Sequence, residues 1–190
     1  MGFALSWLAV KGAEKASILA RLGLSESTEA DSVPDADIVG AKLHGDWYLV
    51  LANRCDYVDR LPLSDLSASA VLVTCAVEEH VMYSVASQWT DGRRIWQVTH
   101  DSARGLTDLL AEGAPPDPFS ALRTEALAQL EAEGGADSSV DFVFDVPVDL
   151  AKALTAFRHD QDPPSDDEAC FITLLRPPKR SFLASLFRRQ

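Results

Sequence analysis

Cysteine is scarce in this chain: Cys55, Cys75 and Cys170 are far apart, odd in number and free of CxxC spacing. That pattern argues against a disulfide framework or a zinc knuckle and points to a reducing, cytoplasmic setting. The four histidines, His44, His80, His100 and His159, show neither HxxxH nor HExxH spacing, and "DQDPPSDDE" lacks the glycine and ligand spacing of a calcium loop. P-loop, GxGxxG and GxSxG patterns are also missing, so neither a metal nor another cofactor is expected. No apolar run approaches the roughly 20 residues that a bilayer span needs. The opening "MGFALSWLAV" has no basic segment ahead of its apolar part and reads as a buried first strand, not a signal peptide. Met1-Gly2 with Ser6 fits the loose N-myristoylation pattern, which has meaning only in a eukaryotic cell.

What is present is an ordinary globular composition, with 47% hydrophobic and 24% charged residues over 190 positions. That length supports one substantial core. We expect a single domain over residues 1–176 and a basic amphipathic tail over 177–190. The net charge is −12, while residues 170–190 hold Arg176, Lys179, Arg180, Arg188 and Arg189 and no acid, which leaves −12 − 5 = −17 on the rest. An acidic body cannot neutralise phosphates, so nucleic acid is excluded as a partner and a basic protein is favoured. The twelve arginines against five lysines suggest a GC-rich bacterial genome.

Local patterns give most of the elements. "GAEKASILARLGL" places Ile18, Leu19 and Leu22 on one helical face with Gly23 as the stop. "SESTEADSVPDAD" has no periodicity and reads as a loop. "DIVGAKLHGDWYLVLANR" reads as a hairpin around His44-Gly45-Asp46, and "LPLSDLSAS" as a single helical turn or loop. Residues 117–134 form a helix with Asp117 as N-cap, Pro118 at its first position and Gly134 beyond its end. "DFVFDVP" is expected as a strand, "VDLAKALTAF" as a helix, and "CFITLLR" as a last strand. The sum is an α+β fold: a mostly antiparallel sheet of hairpins, with three or four helices on one face or at its ends.

The longest signal runs from Ala70 to Asp101, where odd positions such as Val71, Val73, Cys75, Val77, Val81, Tyr83, Val85 and Trp89 are predominantly apolar. Period two means strand. Asp91-Gly92 marks a two-residue turn that would pair Val85 with Val98 and Tyr83 with His100, and would put Trp89 and Trp96 on one face. The Glu78-Glu79-His80 interruption keeps the odd phase, which favours a three-residue loop pairing Val77 with Val81. The alternative is one bent strand, since about 20 straight residues would span about 65 Å against a radius of gyration of about 16 Å. With the hairpin, Glu78, Glu79 and His80 form a solvated tip; with the bend, Glu79 lies beside Tyr83 and near His100 as an acid-base candidate.

The hairpin register also puts Cys75, Tyr83 and His100 in one cross-strand row, the parts of a thiol nucleophile with a histidine base. The candidate site residues are therefore Glu79, His80, Tyr83, His100 and Asp101, with Cys75. Against this, a cysteine among valines is ordinarily a small buried hydrophobe, and Cys75 is expected to be buried and unreactive. In the tail, Phe182, Leu183, Leu186 and Phe187 share one face of a short helix that is expected to dock on the body or on a second copy as a homo-dimer, with a membrane surface disfavoured.

Taken together, these features favour a non-enzymatic binding protein with an acidic surface. A small hydrolase or transferase using His100 with Glu79, Tyr83 or Cys75 is the alternative. The general character is similar to that of toxin-neutralising immunity proteins, an analogy of class without a shared motif, and an immunity-like or regulatory role is expected.

Overall fold

The computed structural model describes residues 2–161 and 170–177. The acidic loop around 162–169 and the tail helix expected at 181–188 lie outside the described residues. The chain runs β1 (Ala4–Lys11), α1 (Lys15–Leu22), β2 (Ser25–Asp31), β3 (Ile38–Lys42), β4 (Tyr48–Ala52), α2 (Leu63–Leu66), β5 (Val71–Glu78), β6 (Tyr83–Thr90), β7 (Arg93–Asp101), β8 (Leu110–Gly113), α3 (Pro118–Ala132), α4 (Asp145–Thr155) and β9 (Phe171–Leu175). These nine strands form one sheet, in the order β2-β9-β3-β4-β1-β5-β6-β7-β8, with every pairing antiparallel. The expected α+β class and antiparallel sheet are borne out.

The helices divide between the two faces. Leu5, Trp7 and Ala9 of β1 pack into one cluster with Val148, Leu150 and Ala151 of α4, whereas Leu8 and Val10 join Ile18 and Leu19 of α1 and Leu66 of α2. In the first cluster Phe157, just past α4, meets Trp7 edge to face at 5.4 Å. Residues Leu5–Val10 are therefore all buried, including Ser6, whose hydroxyl donates to the Arg54 carbonyl and accepts from the Val58 amide. α3 closes over α4 through Ala126, Leu130, Val143 and Val146.

Several sequence expectations are corrected. Residues 25–31 are a strand, not a loop: β2 is the outermost strand, solvated on most of its length, so no apolar period marks it. "DFVFDVP" is not a strand, because α4 starts at Asp145 and Asp141 Oδ1 accepts the Phe144 amide just ahead of it. Asp117 precedes α3 but makes no side-chain cap bond. The β5–β6 loop has four residues, 79–82, with Met82 taking the left-handed position at φ 50°. Glu78 therefore pairs with Tyr83 and Cys75 with Ala86, so odd residues of β5 share a face with even residues of β6. The turn at Asp91-Gly92 is as expected, with Thr90 paired to Arg93, but a bulge at Ile95 shifts the next pairings by one. Trp96 then joins the core under α4, while Trp89 faces the opposite side.

One glycine decides how the β2 end of the sheet assembles. A Cβ on Gly40 of β3 would come within 2.2 Å of the Tyr48 hydroxyl and 3.2 Å of Leu174. Its absence lets Tyr48 lie from β4 across β3 and hydrogen-bond Glu26 of β2 at 3.3 Å. Gly40→Ala should cost about 1–3 kcal/mol in urea denaturation by overpacking. Tyr48→Phe, which keeps the ring and loses only the Glu26 contact, should cost about 1 kcal/mol or less.

Candidate functional site

The structure disperses the sequence candidates. Cys75 and His100 share a face, but Cys75 aligns with Ala86 and Val98, and His100 with Ser84 and Val77. They are separated by two strands and one row, about 10 Å laterally alone. Tyr83 pairs with Glu78 and Asp101 on the other face, so the Cys75-Tyr83-His100 row does not exist. Burial raises the Cys75 thiol far above its ordinary range.

Glu79 organises the chain start. Its Oε2 accepts the Phe3 amide at 2.8 Å, its own amide donates to the Phe3 carbonyl at 2.9 Å, and its Oε1 lies 3.4 Å from His159 Nε2. The Phe3 and His159 rings meet edge to face at 5.1 Å. His80 is exposed and pairs with Glu78 at 2.7 Å. Asp101 accepts from the Ala103 amide and holds Arg104 at 3.4 Å. Neither the solvated tip nor the bent strand describes Glu79: it is half-buried and committed to backbone.

His100 is fully buried and hydrogen-bonds on both ring nitrogens, Nδ1 to the Asp108 carbonyl at 2.6 Å and Nε2 to Asp141 Oδ2 at 2.8 Å. Asp141 was not among the sequence candidates, since nothing local marks a partner 41 residues away. Burial on its own would depress the His100 pKa, but the bonds to Asp141 and Asp108, with their charges, hold it above the ordinary value. With an acceptor on each nitrogen, the doubly protonated ring is the form that satisfies both. The pair ties β7 to the segments on either side of α3. Half-buried Arg158 binds Asp145, Asp149 and Asp160 at 2.6–2.7 Å and anchors the end of α4.

Two surface grooves were not foreseen, because each is assembled from segments distant in sequence. The first lies at the β2 end, measures about 410 Å³ and sets Glu29, Asp31 and Asp35 around Val33, Val39 and Phe171. Residues 25–37 contain five acids, Glu26, Glu29, Asp31, Asp35 and Asp37, and no base. Lys15 pairs with Glu26 at 2.8 Å. The second lies on the face of β5–β7 opposite α4, where the 58–65 segment stands beside the sheet. Among the described residues no group of acids, histidines and cysteines has the arrangement of a metal site. No described helix is long and apolar enough to cross a membrane. Comparison with protein-family models, curated proteins and solved structures returns no match.

The raised His100 pKa has a definite pH signature. Its contribution to stability is complete below the unfolded value of about 6.5 and is lost as pH rises through the folded value. Urea denaturation across neutral to alkaline pH should show this decline in the wild type and not in His100→Gln. A second measurement concerns the thiols. Half-exposed Cys55, though pushed up to about 11 by burial and then by Glu78, Asp59 and Asp56, should react with a thiol reagent well before buried Cys75, which should be labelled only as fast as the protein unfolds.

Proposed function

We propose that this chain is a non-enzymatic interaction protein of the bacterial cytoplasm, of immunity or regulatory type, that receives a basic protein partner on its acidic surface. The observation that carries this reading is the groove at the β2 end, where three exposed carboxylates rim an apolar floor. Such a rim attracts cationic side chains, and the floor gives their apolar stems a surface to cover. Strand addition is not the mode of recognition. β2 bulges between Glu26 and Ala30, and a bulged, charged edge opposes backbone pairing. The same charge repels an identical edge, which closes this surface to a second copy while leaving it open to a partner of opposite sign.

The alternative hydrolase or transferase has less geometric support, since His100 is enclosed and Cys75, Tyr83 and Glu79 face different surroundings. The test is charge reversal. In the triple variant Glu29→Lys, Asp31→Lys, Asp35→Lys, the fold should persist while affinity for a partner captured on the wild type falls at least tenfold. Wild-type affinity should also fall steeply with added salt. A captured partner whose binding is indifferent to both salt and charge reversal would refute the reading.

A further inference from the structure

The second groove carries an inference that does not rest on the β2 surface. It measures about 440 Å³. Its floor is the sheet face of β5 and β6, where Thr74 and Ser87 share a 2.7 Å hydroxyl contact and the Trp89 indole N–H donates to Ser87 Oγ at 3.0 Å. These bonds fix the half-buried Trp89 ring along the lining. The facing wall, from the turn before α2 and from α2 itself, presents the exposed carboxylates of Asp59 and Asp65.

The cations at the groove bond groups other than the Asp59 and Asp65 carboxylates. Arg60 pairs with Asp56, Arg21 donates to the backbone carbonyl of Asp65, and Arg94, which lines the groove as the cross-strand partner of Trp89, bonds Gln97 at 2.6 Å and Glu112 at 3.2 Å. Among the described residues, neither the Asp59 nor the Asp65 carboxylate has an ion-pair partner. An indole ring, a floor on which Ala76 and Val85 adjoin the Thr74–Ser87 pair, and two carboxylates with no ion-pair partner among the described residues together match one ligand chemistry: a cation on an aliphatic stem. The ring attracts the cation through its quadrupole, the carboxylates through charge and hydrogen bonds, and the floor covers the stem. Planar guanidinium suits this set better than ammonium, because it can stack on the ring and bond a carboxylate together.

We propose that this groove is a binding site for an alkylguanidinium group, either a free small molecule or the side chain of an arginine. The probes are butylguanidinium, its neutral analogue butylurea and a blocked single-arginine peptide, each titrated at millimolar concentrations into the full chain. The readout is the Trp89 indole N–H resonance, assigned with Trp89→Phe. A saturable shift with butylguanidinium and the peptide supports the site and both sources. A shift with only one of them supports the site and identifies the source. The double variant Asp59→Asn, Asp65→Asn should weaken binding at least tenfold with an unchanged melting temperature; should it fail to fold, Asp59→Asn alone should still weaken binding severalfold. Equal shifts with butylurea, undiminished affinity in the Asp variants, or no shift with either cation would overturn the proposal. None of these results depends on the β2 surface, whose reading fails separately in the charge-reversal experiment.

Discussion

The structure depends on covering both faces of one sheet. A strand in the middle of such a sheet has no solvent side, and β1 shows the consequence, with Leu5–Val10 buried and its residues alternating between two separate clusters. Polarity cannot then decide which residue faces which way. Turns and bulges decide it: the four-residue loop at 79–82 and the bulge at Ile95 determine which side chains of β5, β6 and β7 lie under α4. Each moves a whole strand's face assignment, since side chains repeat every two residues.

Two-sided burial also favours partners for polar groups in the interior, because an unpaired buried donor or acceptor costs about 1–3 kcal/mol, although Trp7 Nε1 and His159 Nδ1 find none among the described residues. Ser6, Ser84, Thr74 with Ser87, and His100 with Asp141 all meet this demand. The His100–Asp141 pair has the composition of catalytic parts in an enclosed setting. Its ring has both nitrogens occupied and no exposed surface, so it offers no proton to an outside reactant. The same two bonds tie β7 to the 108 and 141 segments across the face that α4 covers.

Much of this fold was legible where the signal is local. The alternation of β1, the Gly23 stop of α1, the hairpin around Gly45 and the Asp91-Gly92 turn are each written within a few residues. β2 and β8 were not legible, since an exposed edge strand needs no apolar period, and α4 could not be separated from a strand at "DFVFDVP" by periodicity over so short a run. The face assignments failed for a different reason: apolar phase was used to choose the register, and that argument holds only where one face meets water. Of the candidate site, the acidic character was legible from composition. Its location was not, because both grooves bring together segments distant in sequence.

The two grooves lie on opposite faces of the sheet. Among the described residues, one groove opens near β2 on the face that α4 covers and the other along β5–β7 on the opposite face. From β2 to β6 is six strand spacings, roughly 29 Å, several times the ~8 Å screening length at physiological salt. Carboxylates at one groove therefore contribute little to binding energy at the other. Their shared influence is confined to the net field that draws a cationic molecule toward the protein, which acts on the association rate. Residence is decided locally, by how much of an apolar stem the floor of each groove covers and how closely its carboxylates approach the charge.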